Sequence, residues 1–216
     1  MVGFGVTMQS RHCGGVIAPA RRGAAATAAL HASMIDHAAQ LVRRDGADAL
    51  TMRALAQEAG CSLGMLYKIF DSREALVLAV VDRQFRDLTA SLEEIVARAG
   101  TGTVAENLGR FAEVLLGPAA EVIKLAAGVP VQERGFHDSA MGSGFVDALP
   151  TTVTRYIAAE KRLDRIGARV DEHAIGFLVT GAVHNLLVSG EAYPRPSLSE
   201  VRELLGALAE LLVDGS

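Results

Sequence analysis

Apolar residues recur at helical spacing along almost the whole chain and nowhere alternate with period two, which restricts it to helices packed on helices. Leu30, Met34, Ala38, Leu41 and Val42 form the first stripe, closed by Gly46 just past the helix end. Thr51 is placed to cap a short helix carrying Met52, Leu55, Ala56 and Ala59, and Ser62 a second one with Leu66 and Phe70 turned inward. Asp71 and Glu74 have the spacing of a capping box ahead of a long helix, Leu76 to Ile95, that runs to about Arg98.

The remaining stripes are Val104 to Leu116, a helix opened by Pro118 and stopped by Gly128 and Pro130, one starting at Pro150, the apolar Asp171 to Ser189, and Val201 to Leu212. Gly135, Gly142 and Gly144 mark 131–145 as a loop, and Tyr193 to Pro196 as a stiff connector. The run Asp171 to Ser189 is apolar nearly all round and is expected to be buried on most sides. Residues 1–23 are glycine-rich without apolar period, so the chain divides into an arm (1–23), a unit of short helices (24–72) and a larger helical domain (73–216).

Composition excludes several classes. Mean hydropathy is +0.27, yet the longest apolar run, Ala174 to Val188, contains Thr180, His184 and Asn185 and falls short of the roughly 20 residues a membrane span needs. A cytoplasmic protein without membrane contact is expected. Cys13 and Cys61 are too few for a disulfide framework and lack the spacing of a metal site; no cofactor, metal or catalytic residue is expected. The net charge of −4 is uneven: residues 1–90 hold ten Lys/Arg against eight Asp/Glu, and the remainder eleven against seventeen. A polyanionic partner would therefore meet the N-terminal part.

The most specific segment is Leu50 to Leu76. Two short helices joined through Gly60 and Cys61 make a helix-turn-helix, whose second helix can enter a DNA major groove. Leu50-Thr51 with Arg53, Ala56 with Ala59-Gly60, Ser62-x-Gly64-x-Leu66-Tyr67 with Phe70, and Arg73-Glu74-Ala75-Leu76 resemble the tetracycline repressor (TetR) family over about residues 28–80. That resemblance implies an all-α homodimer with an N-terminal three-helix DNA-binding domain, joined by a long helix to a C-terminal bundle for ligand binding and dimerisation. It further implies a transcriptional regulator, a repressor released from a palindromic double-stranded DNA operator by a small-molecule inducer.

Carried over residue by residue, the DNA contacts would come from Thr51, Arg53, Ser62, Leu63, Gly64, Met65, Tyr67, Lys68 and Arg73, with Thr51, Tyr67 and Arg73 on phosphates. Leu63, Met65 and Ile69 depart from the family pattern. Residues 51–75 balance three bases against three acids, so Arg21, Arg22, Arg43 and Arg44 are candidates for the missing charge. Ligand-lining candidates are Phe111, Tyr156, Thr180, His184 and Asn185; His173, Thr180 and His184 share roughly one side of their helix, where satisfied structural histidines are the competing reading. Dimer-interface candidates are Phe177, Val183, Leu187, Val201, Leu204, Leu205, Leu208 and Leu212.

Two rival classes remain open at this point. An enzyme is disfavoured because no nucleophile elbow, phosphate loop, dinucleotide fingerprint or zinc motif occurs. A helical protein-interaction scaffold without DNA binding is the alternative, favoured only by the neutral charge of residues 51–75.

Overall fold

Helix α1 (Pro19–Asp45) ends where Gly46 turns the backbone to φ 87°, a left-handed conformation that glycine adopts without steric penalty. The computed structural model describes residues 19–118, 133–188 and 196–214. α1 begins five residues ahead of the readable apolar period, so Arg21 and Arg22 belong to a helix and not to the expected arm. After a single 3-10 turn (Ala47–Ala49) come α2 (Met52–Glu58), α3 (Leu63–Ile69) and the long α4 (Arg73–Ala97). Then follow α5 (Val104–Leu116), α6 (Glu133–Gly142), α7 (Phe145–Arg162), α8 (Glu172–Val188) and α9 (Leu198–Asp214). The fold is all-α, with no strand among the described residues.

Two sequence expectations about this half are corrected. Residues 133–142 are helical rather than looped, because α6 packs on α4 and buries Ala140; tertiary packing outweighs the roughly 1 kcal/mol that a helical glycine costs. Pro150 lies inside α7 instead of opening it: the helix starts at Phe145, buried with its ring 5.0 Å from that of Phe85, and Pro150 is exposed and deprives only the Val146 carbonyl of an N–H. The expected helix between Pro118 and Gly128, and the connector up to Arg195, lie outside the described residues.

α4 ties the halves together. Leu76, Val77, Val80 and Val81 on it are buried near the short helices, and Leu88, Leu92 and Ile95 in the second half. It packs on α1 at one end and on α5, α6 and α7 beyond. α8 lies against α7 so closely that a Cβ at Gly176 would clash with Thr154 Oγ1. α9 closes the bundle against α5.

Candidate nucleic-acid interface

The turn between α2 and α3 is built by local hydrogen bonds. Thr51 Oγ1 accepts from the Ala54 N–H at 3.0 Å and Ser62 Oγ from the Met65 N–H at 3.2 Å, so both predicted caps form. Gly60 takes φ 62°, and the Cys61 N–H returns to the Ala56 carbonyl at 3.0 Å. Leu55, Leu66 and Phe70 are buried, and α1 braces the unit through His31, whose ring lies 4.7 Å from that of Phe70. The outer face of α3 is left to solvent: Leu63 is 38%, Met65 39% and Tyr67 51% exposed, with Gly64 and Lys68 also exposed.

The cations around this face divide into free and occupied. Arg53, Lys68 and Arg43 are exposed and make no ion pair among the described residues. Arg44 is held at 2.8 Å from Asp45 and 3.0 Å from Glu58, and both carboxyls sit below the usual carboxylate range because they accept from it. Arg44 is thus already engaged by two carboxylates in the free chain. Arg73 is half-buried, and its Nε donates to the Leu50 carbonyl at 2.9 Å, fixing the start of α4 to the residue before the α2 cap. Ser72, not Asp71, caps α4, accepting from the Ala75 N–H at 3.1 Å; its extended backbone, φ −154° and ψ 171°, aims the hydroxyl at the first turn.

The five ligand-lining candidates fall in three places. Phe111 and Tyr156 are fully buried. Tyr156 belongs to a polar clasp: its hydroxyl donates to Glu160 Oε1 at 2.7 Å and accepts from Asn107 Nδ2 at 3.1 Å. Arg98 Nε donates to Asn107 Oδ1 at 2.7 Å, and Arg165 approaches Glu160 Oε2 to 3.2 Å. Burial, followed by the hydrogen bond to Glu160, raises the Tyr156 phenol above its ordinary range. Thr180 is buried and its Oγ1 has no hydrogen-bond partner. His184 and Asn185 are exposed, as is His173, so of the polar side chains on that side of the helix only Thr180 is internal.

The α8 and α9 surfaces correct the dimer residues as well. Val183, Val201, Leu205 and Leu212 point into the protomer's own core, and Leu187 and Leu208 are half-buried. Phe177, 79% exposed, and Leu204, 65% exposed, stand outside, as do Leu178 (62%) and Leu211 (73%). α8 is therefore not buried on most sides within one chain. Charged side chains of α5 and α9, Glu106, Arg110, Glu113 and Arg202, line an open groove of about 500 Å³ with Arg98. No cluster of three metal-ligating side chains occurs among the described residues, and none of their helices is long and apolar enough to cross a membrane.

Short helices in a helix-turn-helix, mounted on one long helix that enters a larger helical bundle, define the class of helix-turn-helix regulators. Residues 34–80 match the family model of bacterial regulatory proteins, tetR family, and the chain carries that family's helix-turn-helix unit. No curated protein sequence matches the chain. Solved structures share the fold. One from Mesorhizobium loti, described as a TetR-family transcriptional regulator, is 18% identical, with 87% of this chain and 96% of that one covered and a TM-score of 0.62. A transcriptional regulator from Saccharomonospora viridis in complex with choline is 16% identical, covering 85% and 96%, with a TM-score of 0.59. A transcriptional regulator from Bacillus subtilis in complex with stearoyl-CoA is also 16% identical, covering 85% and 97%, with a TM-score of 0.50.

Proposed function

We propose that the chain is a homodimeric, ligand-responsive DNA-binding transcriptional regulator, acting as a repressor that a small molecule releases from a palindromic operator. The observation that carries this is the solvent-facing α3, capped by Ser62, held from behind by Leu66 and Phe70, and flanked by the unpaired Arg53 and Lys68. Exposed Phe177, Leu178, Leu204 and Leu211 supply the self-complementary apolar face of a dimer, which would present two such helices to successive major grooves about 34 Å apart.

Ligand response is supported by α4. Its N-terminus is bonded to the DNA-binding unit through Arg73 and Leu50, while the residues that follow its C-terminus join the clasp of Asn107, Tyr156 and Glu160. A ligand among α4, α5, α7 and α8 that favours one tilt of α4 would move the recognition helices. The unpartnered Thr180 hydroxyl is the polar group available to it there. About 100-fold preference for the released state, roughly 2.7 kcal/mol, is sufficient. The choline and stearoyl-CoA complexes of structures with this fold support a small organic ligand here, without fixing its class.

The test has two parts. Light scattering is expected to give twice 22.7 kDa, and selection from a random duplex library to enrich a site with two-fold symmetry. A chain that enriches no duplex at low salt is a scaffold and not a regulator.

A further inference from the structure

The first half of α3 is where a recognition helix meets base edges, and there this chain presents Leu63, Gly64 and Met65. Leu63 and Met65 are exposed although Leu66, between them and Tyr67, is completely buried, so the protomer's own core is satisfied without them. Neither side chain can make the paired hydrogen bonds by which Arg or Lys reads guanine and Asn or Gln reads adenine. In the major groove the one apolar group a base offers is the C5-methyl of thymine. Gly64 points the same way. A Cβ added there would meet nothing of this chain within 4 Å, so internal packing does not require the glycine, and its bare backbone is open to an outside surface. Arg53 and Lys68, exposed and without an ion pair among the described residues, are cations available to phosphates.

We infer that this protein reads its half-sites through thymine methyl groups, packed against Leu63 and Met65, with the bare backbone at Gly64 setting how closely α3 seats. The inference rests on the DNA-binding reading above and specifies the class of sequence bound: half-sites with thymines in the bases facing the start of α3, and no guanine requirement there. Specificity at those positions is a matter of apolar area, so each methyl is worth about fourfold in affinity.

The experiment is a titration of the full-length protein with the duplex enriched from a random library, and with a copy in which the half-site thymines are replaced by deoxyuridine. Deoxyuridine keeps every pairing and hydrogen-bonding group and lacks only the C5-methyl. The wild-type protein is expected to bind the uracil duplex at least tenfold more weakly. Leu63→Ala and Met65→Ala, both at exposed positions and read alongside a circular-dichroism check of folding, are each expected to lose part of that methyl preference.

Three results would overturn the inference. If no duplex is enriched, the DNA-binding reading falls and takes this one with it. If a duplex is enriched but the uracil copy binds equally, thymine methyls are not read while DNA binding stands. If the methyl preference survives undiminished in both variants, it belongs to other side chains.

Discussion

The protein exposes two apolar faces whose chemistry is alike and whose surroundings are not. Leu63, Met65 and Tyr67 project from a helix of seven residues, about 10 Å long, in the same helix-turn-helix as the exposed Arg53 and Lys68. Phe177, Leu178, Leu204 and Leu211 project from two helices of 17 residues each, about 25 Å long, with His184 and Asn185 at the edge. The first matches a groove roughly 12 Å wide lined by phosphates. In the proposed dimer a second copy covers the second. Exposure of apolar side chains thus identifies a contact surface, and its length and the charges beside it select the partner.

Disrupting the larger face should have the largest effect. Phe177→Asp combined with Leu204→Asp is expected to reduce the mass in light scattering from twice 22.7 kDa to one chain, with helical content unchanged, and DNA affinity should fall with it. A double variant that stays dimeric would remove this face from the interface.

The smaller face can be separated from its own support. Leu66 is fully buried behind it, so Leu66→Ala is expected to lower stability by about 2–5 kcal/mol in chemical denaturation. Its neighbour Met65→Ala, at an exposed position, should change stability by no more than about 0.5 kcal/mol. Equal losses would mean that α3 is packed on both sides. Between the two faces, Tyr156→Phe leaves Asn107 and Glu160 each short of a buried partner and is expected to cost about 1–3 kcal/mol.

The smallest effect expected is on acid sensitivity. Hydrogen bonds from Arg155 to Glu93 and from Lys161 to Glu172 hold both carboxyls below the ordinary glutamate value of 4.5. A lowered folded pKa stabilises the fold above the ordinary value, and that contribution is lost as pH falls through the folded one. Stability should therefore decline gently below about pH 4.5, and less so in Glu93→Gln, as denaturant melts at several pH values would report. A Glu93→Gln variant as acid-sensitive as the wild type would mean that the ion pair with Arg155 is not formed in solution.

How much of this was legible in the sequence depends on how far each interaction reaches. The caps at Thr51 and Ser62 span three residues and were readable, as was the inward placement of Leu66 and Phe70. The cap at Ser72 was missed because Asp71 and Glu74 offer the same spacing one position away. α6 was hidden by its glycines, and Pro150 by the helix already formed at Phe145. α8 is apolar nearly all round, so its periodicity could not say whether Val183 or Phe177 faces the core. The clasp joins Asn107 to Tyr156 across 49 positions, beyond any local pattern; the four-residue spacing of Tyr156 and Glu160 was the available hint.

In the proposed function the helix-turn-helix carrying Arg53, Lys68 and α3 binds DNA while α8 and α9 pair two chains. Its most direct test is the affinity for the enriched duplex, measured by fluorescence anisotropy as salt is raised, for the wild type, Arg53→Ala, Lys68→Ala and Arg44→Ala. Two chains per duplex and an affinity that falls steeply with salt are expected. The slope should lessen by about one for each phosphate contact removed in the Arg53 and Lys68 variants, and change little for Arg44, which is already paired with Asp45 and Glu58. An affinity indifferent to salt, or slopes unchanged by Arg53→Ala and Lys68→Ala, would contradict it.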